Sequence, residues 1–242
     1  MDILDTTNEL FDVYYGITAE WKGIKPQLHY TNTQSNIPIS PWHDITFKNM
    51  DGTINMVCEV PKYTRKKYEI NIKLDHNPII QDTIEIDGVK RLREYKYGDM
   101  LFNYGAIPQT WEDPKVLCEK TLKYGDNDPL DILDIGDTMA TVGLIYKVKV
   151  LGVLALLDDG ETDWKVIAIN VKDVNSKYIH TLDDINKYKP GCQEAIKRWF
   201  EHYKTVRGKR KNCFALNGEF GDKEYTKKVI DACHDMWIKE FT

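Results

Sequence analysis

The chain has no C-x-x-C spacing, no apolar run of the ~20 residues needed to cross a bilayer, and no Lys or Arg before Lys22. Each absence excludes something. The five cysteines, Cys58, Cys118, Cys192, Cys213 and Cys233, are odd in number and unpaired in spacing, so neither a zinc ribbon nor a disulfide framework is implied. They read as reduced and mostly buried thiols. An N-terminal stretch with acidic residues and no basic ones opposes a signal peptide or a mitochondrial transit peptide, and the expected setting is cytoplasmic. There is no internal repeat and no low-complexity tract. Basic excess is missing too: 33 Lys and Arg stand against 38 Asp and Glu, giving a net charge of −5. The acidic surplus is concentrated between Asp126 and Asp163, which argues against a nucleic-acid backbone as the main partner. What remains is ordinary for a folded domain, with 42% hydrophobic and 29% charged residues in 242, enough for a large core.

The most informative stretch is Tyr124-Gly125-Asp126-Asn127-Asp128-Pro129-Leu130-Asp131. It sets carboxylates at i, i+2 and i+5 around one proline. Pro129 fixes its own φ and pushes Asp128 towards an extended conformation, so Asp126 and Asp128 point the same way and Asp131 can turn back towards them. Crowded carboxylates repel unless a cation sits between them, and hard, oxygen-preferring ions such as Mg²⁺ or Mn²⁺ suit that arrangement. A solvated acidic turn is the alternative that composition leaves open. An EF-hand is excluded, because the loop positions that need Gly and Glu hold Asp131 and Asp137. A phosphatase Asp-x-Asp is disfavoured, because Leu122-Lys123-Tyr124-Gly125 before it is not a buried apolar strand.

Along the chain, residues 1–50 read as an extended leading layer in which His29 and His43 are structural. Residues 51–175 read as the barrel core. Within it, 55–60 and 68–73 alternate like half-buried strands, which puts Glu69 opposite Ile70. Long strands at 146–157 and 164–171 flank Asp158-Asp159-Gly160-Glu161-Thr162-Asp163, a hairpin tip with a second acidic cluster and Lys165 two residues beyond. Residues 176–242 switch to helical periodicity. A capping-box-like Thr181/Asp184, a helix over 193–206 and a last helix within 223–241 are expected. The sum is α+β, a single domain built on a small closed barrel.

Three segments together resemble the soluble family I inorganic pyrophosphatases of eukaryotic type: Gly125–Asp131, Asn103-Tyr-Gly-Ala-Ile-Pro-Gln-Thr-Trp-Glu-Asp-Pro114, and Asp158–Ala168. The resemblance runs from about His43 to the last helix. It implies a five-stranded OB-like β-barrel with flanking helices, and hydrolysis of pyrophosphate to two orthophosphates by a metal-activated water. It places metal ligands at Asp126, Asp131 and Asp163, completed by Asp158, Glu69 and Glu59, and it assigns Asp128 to orient the water and take its proton. Phosphate ligands fall on Lys67, Arg91, Tyr104, Lys165, Tyr203 and Lys204. Several Mg²⁺ ions, with Mn²⁺ substituting and Ca²⁺ inhibiting, and a homodimer are further implications. Two departures stand out. Met100 occupies a position where the family carries tyrosine, and Tyr97 is the candidate to replace that phenol. Arg91 is preferred over Arg93 because Leu92 matches the apolar residue after the family arginine. The competing classes are a single-stranded nucleic-acid module on an OB barrel and an inactive relative acting only as a partner protein. The acidic face opposes the first, and the complete set of aspartates opposes the second.

Overall fold

The computed structural model describes residues 15–242. A hairpin of β1 (Tyr15–Lys22) and β2 (Lys25–Asn32) leads the described chain, followed by β3 (Ile54–Val60), β4 (Tyr68–Ile70) and β5 (Ile79–Gln81). Next come the hairpin β6 (Thr83–Ile86) and β7 (Val89–Leu92), then β8 (Asn103–Ala106) and β9 (Asp131–Asp134). The long strands β10 (Ile145–Asp158) and β11 (Glu161–Asn170) precede α1 (Leu182–Tyr188), α2 (Cys192–His202) and α3 (Lys223–Phe241).

Five of these strands close on themselves. The order is β11-β9-β8-β3-β10, and β10 pairs back with β11, so no edge remains within the ring. All its pairings are antiparallel except β9 with β11. This is the OB-type barrel of an α+β fold. The β10–β11 connection is a two-residue turn, Asp159-Gly160, with both φ positive (50° and 94°), the geometry whose twist matches antiparallel strands. Outside the ring lies a second sheet in the order β1-β2-β5-β4.

Side-chain alternation sorts the core into layers. Met56, Cys58, Ile132, Val148, Val166 and Ala168 fill the barrel and meet Val229, Ile230 and Cys233 of α3. Ile167 and Ile169, one residue out of phase, pack beneath Ile185 of α1 and Ile196, Trp199 and Phe200 of α2. Val57 points to a third cluster shared with Tyr15, Tyr30, Ile70 and Ile79 of the outer sheet. β3 is therefore buried along its whole length rather than half-buried, because the outer sheet covers the face that alternation alone leaves to solvent. β4 belongs to that outer sheet and not to the barrel.

The C-terminal readings meet the same test. Thr181 and Asp184 form a reciprocal capping box, and Asp222 caps α3 by accepting from Tyr225 N–H at 2.8 Å. α2 ends at His202, short of the expected 206, where Tyr203 leaves the helix and a 3₁₀ turn begins. Its ring stacks on Trp199 at 5.0 Å. His43 is structural as read: its Nδ1 accepts the Trp237 indole N–H at 2.9 Å. Only Cys58 and Cys233 of the five thiols are buried, and Cys213 is exposed. Among the described residues no helix is long and apolar enough to cross a membrane.

Candidate active site

The ends of β8, β9 and β11, the loop before β9, the strand β4 and the C-terminal end of α2 surround one cleft of about 200 Å³. It lies on the outer face of the barrel. Tyr104, Asp131, Asp163 and Lys165 reach it because each is out of phase with the inward-facing Asn103, Ile132, Trp164 and Val166.

Gly125 brings the acidic loop against the barrel. A Cβ on it would stand 2.3 Å from the Glu112 carbonyl oxygen, so only glycine lets the two backbones touch. The loop is then laced to that segment: Asn127 N–H donates to Glu112 O at 2.9 Å, and Glu112 N–H to Asp128 O at 3.0 Å. Asp128 N–H donates to Asp126 Oδ1 at 3.0 Å. The result is a trio of Glu112, Asp126 and Asp163 whose carboxylate oxygens lie within 4.8 Å of one another. Glu112 Oε1 accepts Trp164 N–H at 3.1 Å, while its Oε2 is buried with no partner among the described residues. Burial, then the Asp126 and Asp163 charges, push the Glu112 carboxyl well above the usual range. Burial followed by Asp163 does the same to Asp126. Asp163 is raised to about 8, chiefly by burial, with Lys165 opposing and Asp131 adding. Three acids driven towards holding protons, with a buried oxygen facing nothing, form a donor set that fits a hard divalent cation.

Cations meet these carboxylates from the other sides. Lys165, nearly fully buried, is held by Asp131 and Asp163, and the Tyr104 hydroxyl also donates to Asp131. Burial disfavours its ammonium, but the two carboxylates outweigh that and raise its pKa well above the usual value. Lys67 contacts Glu69 at 2.5 Å and lies 3.9 Å from Asp82, which Arg93 grips at 2.7 Å. At the hairpin tip Asp158 accepts from the Tyr203 hydroxyl at 2.6 Å and from Lys204, which also pairs with Asp159 at 2.7 Å. Glu59 is buried and accepts Ile70 N–H at 2.7 Å; burial, then Asp131, raise its pKa well above normal. Asp128 sits at the lip, exposed as a residue but with its carboxyl turned into the crowd. Burial of that carboxyl raises it to about 6, against the pull of Lys67 and with the push of Glu69 and Asp131.

All the sequence-derived positions except Arg91 line this cleft. Arg91 is exposed on β7, paired across the hairpin with Ile84, and Arg93 stands in the cleft instead. The two-residue offset keeps both arginines on one strand phase, but the hairpin ends at Leu92, so only Arg93 turns inward. Tyr97 is not the replacement phenol either. It lies outside the cleft, its ring near His202, whereas Tyr95 lines the cleft. Met100 is wholly buried in the core beneath α2 rather than facing the site. Glu112 and Asp82 were missed. Glu112 was visible in the Asn103–Pro114 segment, but nothing in its spacing to Asp126 shows that Gly125 folds one onto the other.

A closed five-stranded barrel whose outer face carries clustered carboxylates opposed by Lys, Arg and Tyr defines a metal-dependent class of phosphate-handling protein. The chain belongs to the inorganic pyrophosphatase family: that family's sequence model matches residues 56–238. It is 46% identical over 209 residues to inorganic pyrophosphatase 1 of Caenorhabditis elegans, covering 84% of this chain and 48% of that protein, about half of its length. It is also 46% identical over 203 residues to the inorganic pyrophosphatase of Zygosaccharomyces bailii, covering 83% of this chain and 70% of the relative. The type I inorganic pyrophosphatase of P falciparum superposes with TM-score 0.87 at 37% identity, over 99% of this chain and 78% of that one. An N-terminally truncated Trypanosoma cruzi vacuolar soluble pyrophosphatase, solved in complex with PPi, gives 0.85 at 37% identity, over 99% and 97% of the two chains.

Proposed function

We propose that the protein hydrolyses inorganic pyrophosphate to two orthophosphates, with Mg²⁺ as the cofactor. The observation that carries this reading is a cleft in which Asp126, Asp128, Asp131, Asp158 and Asp163 face four basic side chains, Lys67, Arg93, Lys165 and Lys204, with the buried Glu112 carboxylate grouped with Asp126 and Asp163. Family membership and the carboxylate geometry support Asp126, Asp131, Asp163, Asp158, Glu69 and Glu59 as the metal-holding set, with Glu112 added. A bound divalent ion supplies a lowered pKa for water and neutralises phosphate charge. Asp128, raised to about 6, orients the attacking water and accepts its proton, since a base works best when its pKa lies near the working pH. Lys67, Tyr104 and Lys165 bind the attacked phosphoryl group. Arg93, in place of Arg91, with Tyr203 and Lys204, holds the leaving phosphate, and the phenols donate without adding charge.

The test is phosphate release from pyrophosphate by purified protein. Activity with saturating Mg²⁺ and none in a chelator is expected, and Ca²⁺, with its longer and looser coordination, should inhibit. Protein that stays inactive with Mg²⁺ rejects the reading. The chain is taken as a single pyrophosphatase domain. A homodimer is implied by the family resemblance and a cytoplasmic setting is expected from the sequence, and sedimentation analysis and imaging of the tagged protein test them.

A further inference from the structure

The acidic loop turns on one residue. Asn127, between Asp126 and Asp128, has a φ of 71°, in the left-handed region that an asparagine enters more readily than most side chains. In an extended strand residues two apart project the same way, and this turn breaks that relation. Asp126 joins Glu112 and Asp163, with oxygens all within 4.8 Å of one another, whereas Asp128 stays at the exposed lip. After burial, the strongest influence on the Asp126 carboxyl is Asp163, while on Asp128 it is Lys67 and then Glu69. Two carboxylates that adjoin the same residue therefore belong to different sides of the site.

The turn is held by a residue from another segment. The Trp111 indole N–H donates to Asn127 Oδ1 at 3.2 Å. That indole has little freedom: Trp111 is buried, its ring meets Phe241 edge-on at 5.3 Å, and its backbone N–H donates to the Cys233 carbonyl of α3 at 3.0 Å. His234, the next residue of α3, donates from Nδ1 to the Gln109 carbonyl at 2.6 Å, so the segment carrying Trp111 is braced on the helix at two points. Glu112 completes the clamp from its backbone, accepting Asn127 N–H at 2.9 Å and donating to Asp128 O at 3.0 Å. Neither Asn127 nor Trp111 lines the cleft, so both act through the residues beside them.

We propose that Asn127 and Trp111 are positioning residues for the hydrolysis, in that the indole-anchored left-handed turn keeps Asp126 with Glu112 and Asp163 while it presents Asp128 to the attacking water. The proposal rests on the reading of the cleft as a pyrophosphate site. Asparagine meets two demands at once. Glycine would take the same φ without offering an acceptor to the indole, and alanine would meet neither demand.

The experiment measures pyrophosphate hydrolysis at saturating Mg²⁺ for wild type, Trp111→Phe, Asn127→Gly, the Trp111→Phe/Asn127→Gly double variant and Asn127→Ala. Each is assayed well below its own melting midpoint, read by differential scanning fluorimetry. The two single variants Trp111→Phe and Asn127→Gly should each lower kcat by about three- to tenfold, the weight of one neutral hydrogen bond, with KM for pyrophosphate within about twofold of wild type. The double variant should lose less than about twofold beyond the worse single one, because both changes remove the same bond. Asn127→Ala should fall about a further fivefold or more below Asn127→Gly, since only glycine restores the left-handed turn. If Trp111→Phe does not fold, the comparison of Gly with Ala at position 127 and its split between kcat and KM decide alone. Wild-type kcat in either single variant, losses that multiply in the double variant, equal losses in Gly and Ala, or losses that fall on KM overturn the proposal. Wild type that releases no phosphate from pyrophosphate instead rejects the reading of the cleft.

Discussion

Glu112→Gln isolates the electrostatic cost of the carboxylate trio. The substitution keeps the side-chain shape and the Oε1 acceptor of Trp164 N–H, and it removes one negative charge from the trio with Asp126 and Asp163. Two like charges 4.8 Å apart at an effective dielectric near 20 repel by ~3 kcal/mol. Lys165 offsets part of the remaining repulsion at Asp163, so the worth of one pair is the expected gain. The sign follows from linkage. Glu112 has a folded pKa raised above its unfolded value, so its protonated form contributes stability that is fully present below the ordinary glutamate pKa and is lost as pH rises through the folded one. Glutamine does not titrate. In chelator the variant and wild type should therefore melt together near pH ~4, and the variant should gain progressively, reaching ~6–12 °C at about pH 9 for a chain of this size. Saturating Mg²⁺ should reverse the order, because wild type has a full carboxylate for the ion. Melting curves by differential scanning fluorimetry across this range read both effects. A Gln variant less stable than wild type at high pH in chelator would refute the repulsion argument.

Three further outcomes are expected. Asp128→Asn should cut turnover by ~10²–10⁴-fold with the melting temperature in chelator unchanged or raised; near wild-type turnover would mean that the base lies elsewhere. Arg93→Ala should raise KM for pyrophosphate about tenfold or more, while Arg91→Ala, exposed on β7, should change it less than about twofold, and the reverse ranking would restore the residue that the sequence favoured. Met100→Tyr should leave substrate binding alone but destabilise the fold by ~1–3 kcal/mol, because the side chain is fully buried and a larger, hydroxylated ring overpacks that core; chemical denaturation measures this, and a tightened KM would show that the position reaches the site.

The class of the fold and most of the candidate site could be read in the chain because their causes are local. The acidic loop is a local turn rather than the extended stretch expected, since Asn127 has φ 71° and Asp128 N–H donates to Asp126 Oδ1, while the period of two along β10 and β11 fixes which side of the hairpin Asp163 and Lys165 share. Helix starts were legible for the same reason, since a cap is satisfied within a few residues, as Thr181 with Asp184 shows. Local pattern failed where a second element decided the outcome. β3 looked half-exposed until the outer sheet covered it, and α2 stopped at His202 as Tyr203 turned its phenol to Asp158.

The choice between Arg91 and Arg93, the phenol at Tyr95, the burial of Met100 and the partnership of Glu112 with Asp126 all belong to tertiary structure. Residue type and spacing along β7 gave the two arginines the same phase, and only the end of the hairpin at Leu92 sends one to solvent and the other to Asp82. Glu112 and Asp126 are fourteen positions apart with nothing in the intervening sequence to set their separation. Their oxygens meet because Gly125 lets two backbones touch, and the barrel holds both against β11. Residue identity and strand periodicity set which chemical groups are available and how neighbours along each strand point; closure of the barrel and the sheet laid over it bring particular groups face to face, because side chains far apart in the chain have little electrostatic relation until packing removes the water between them.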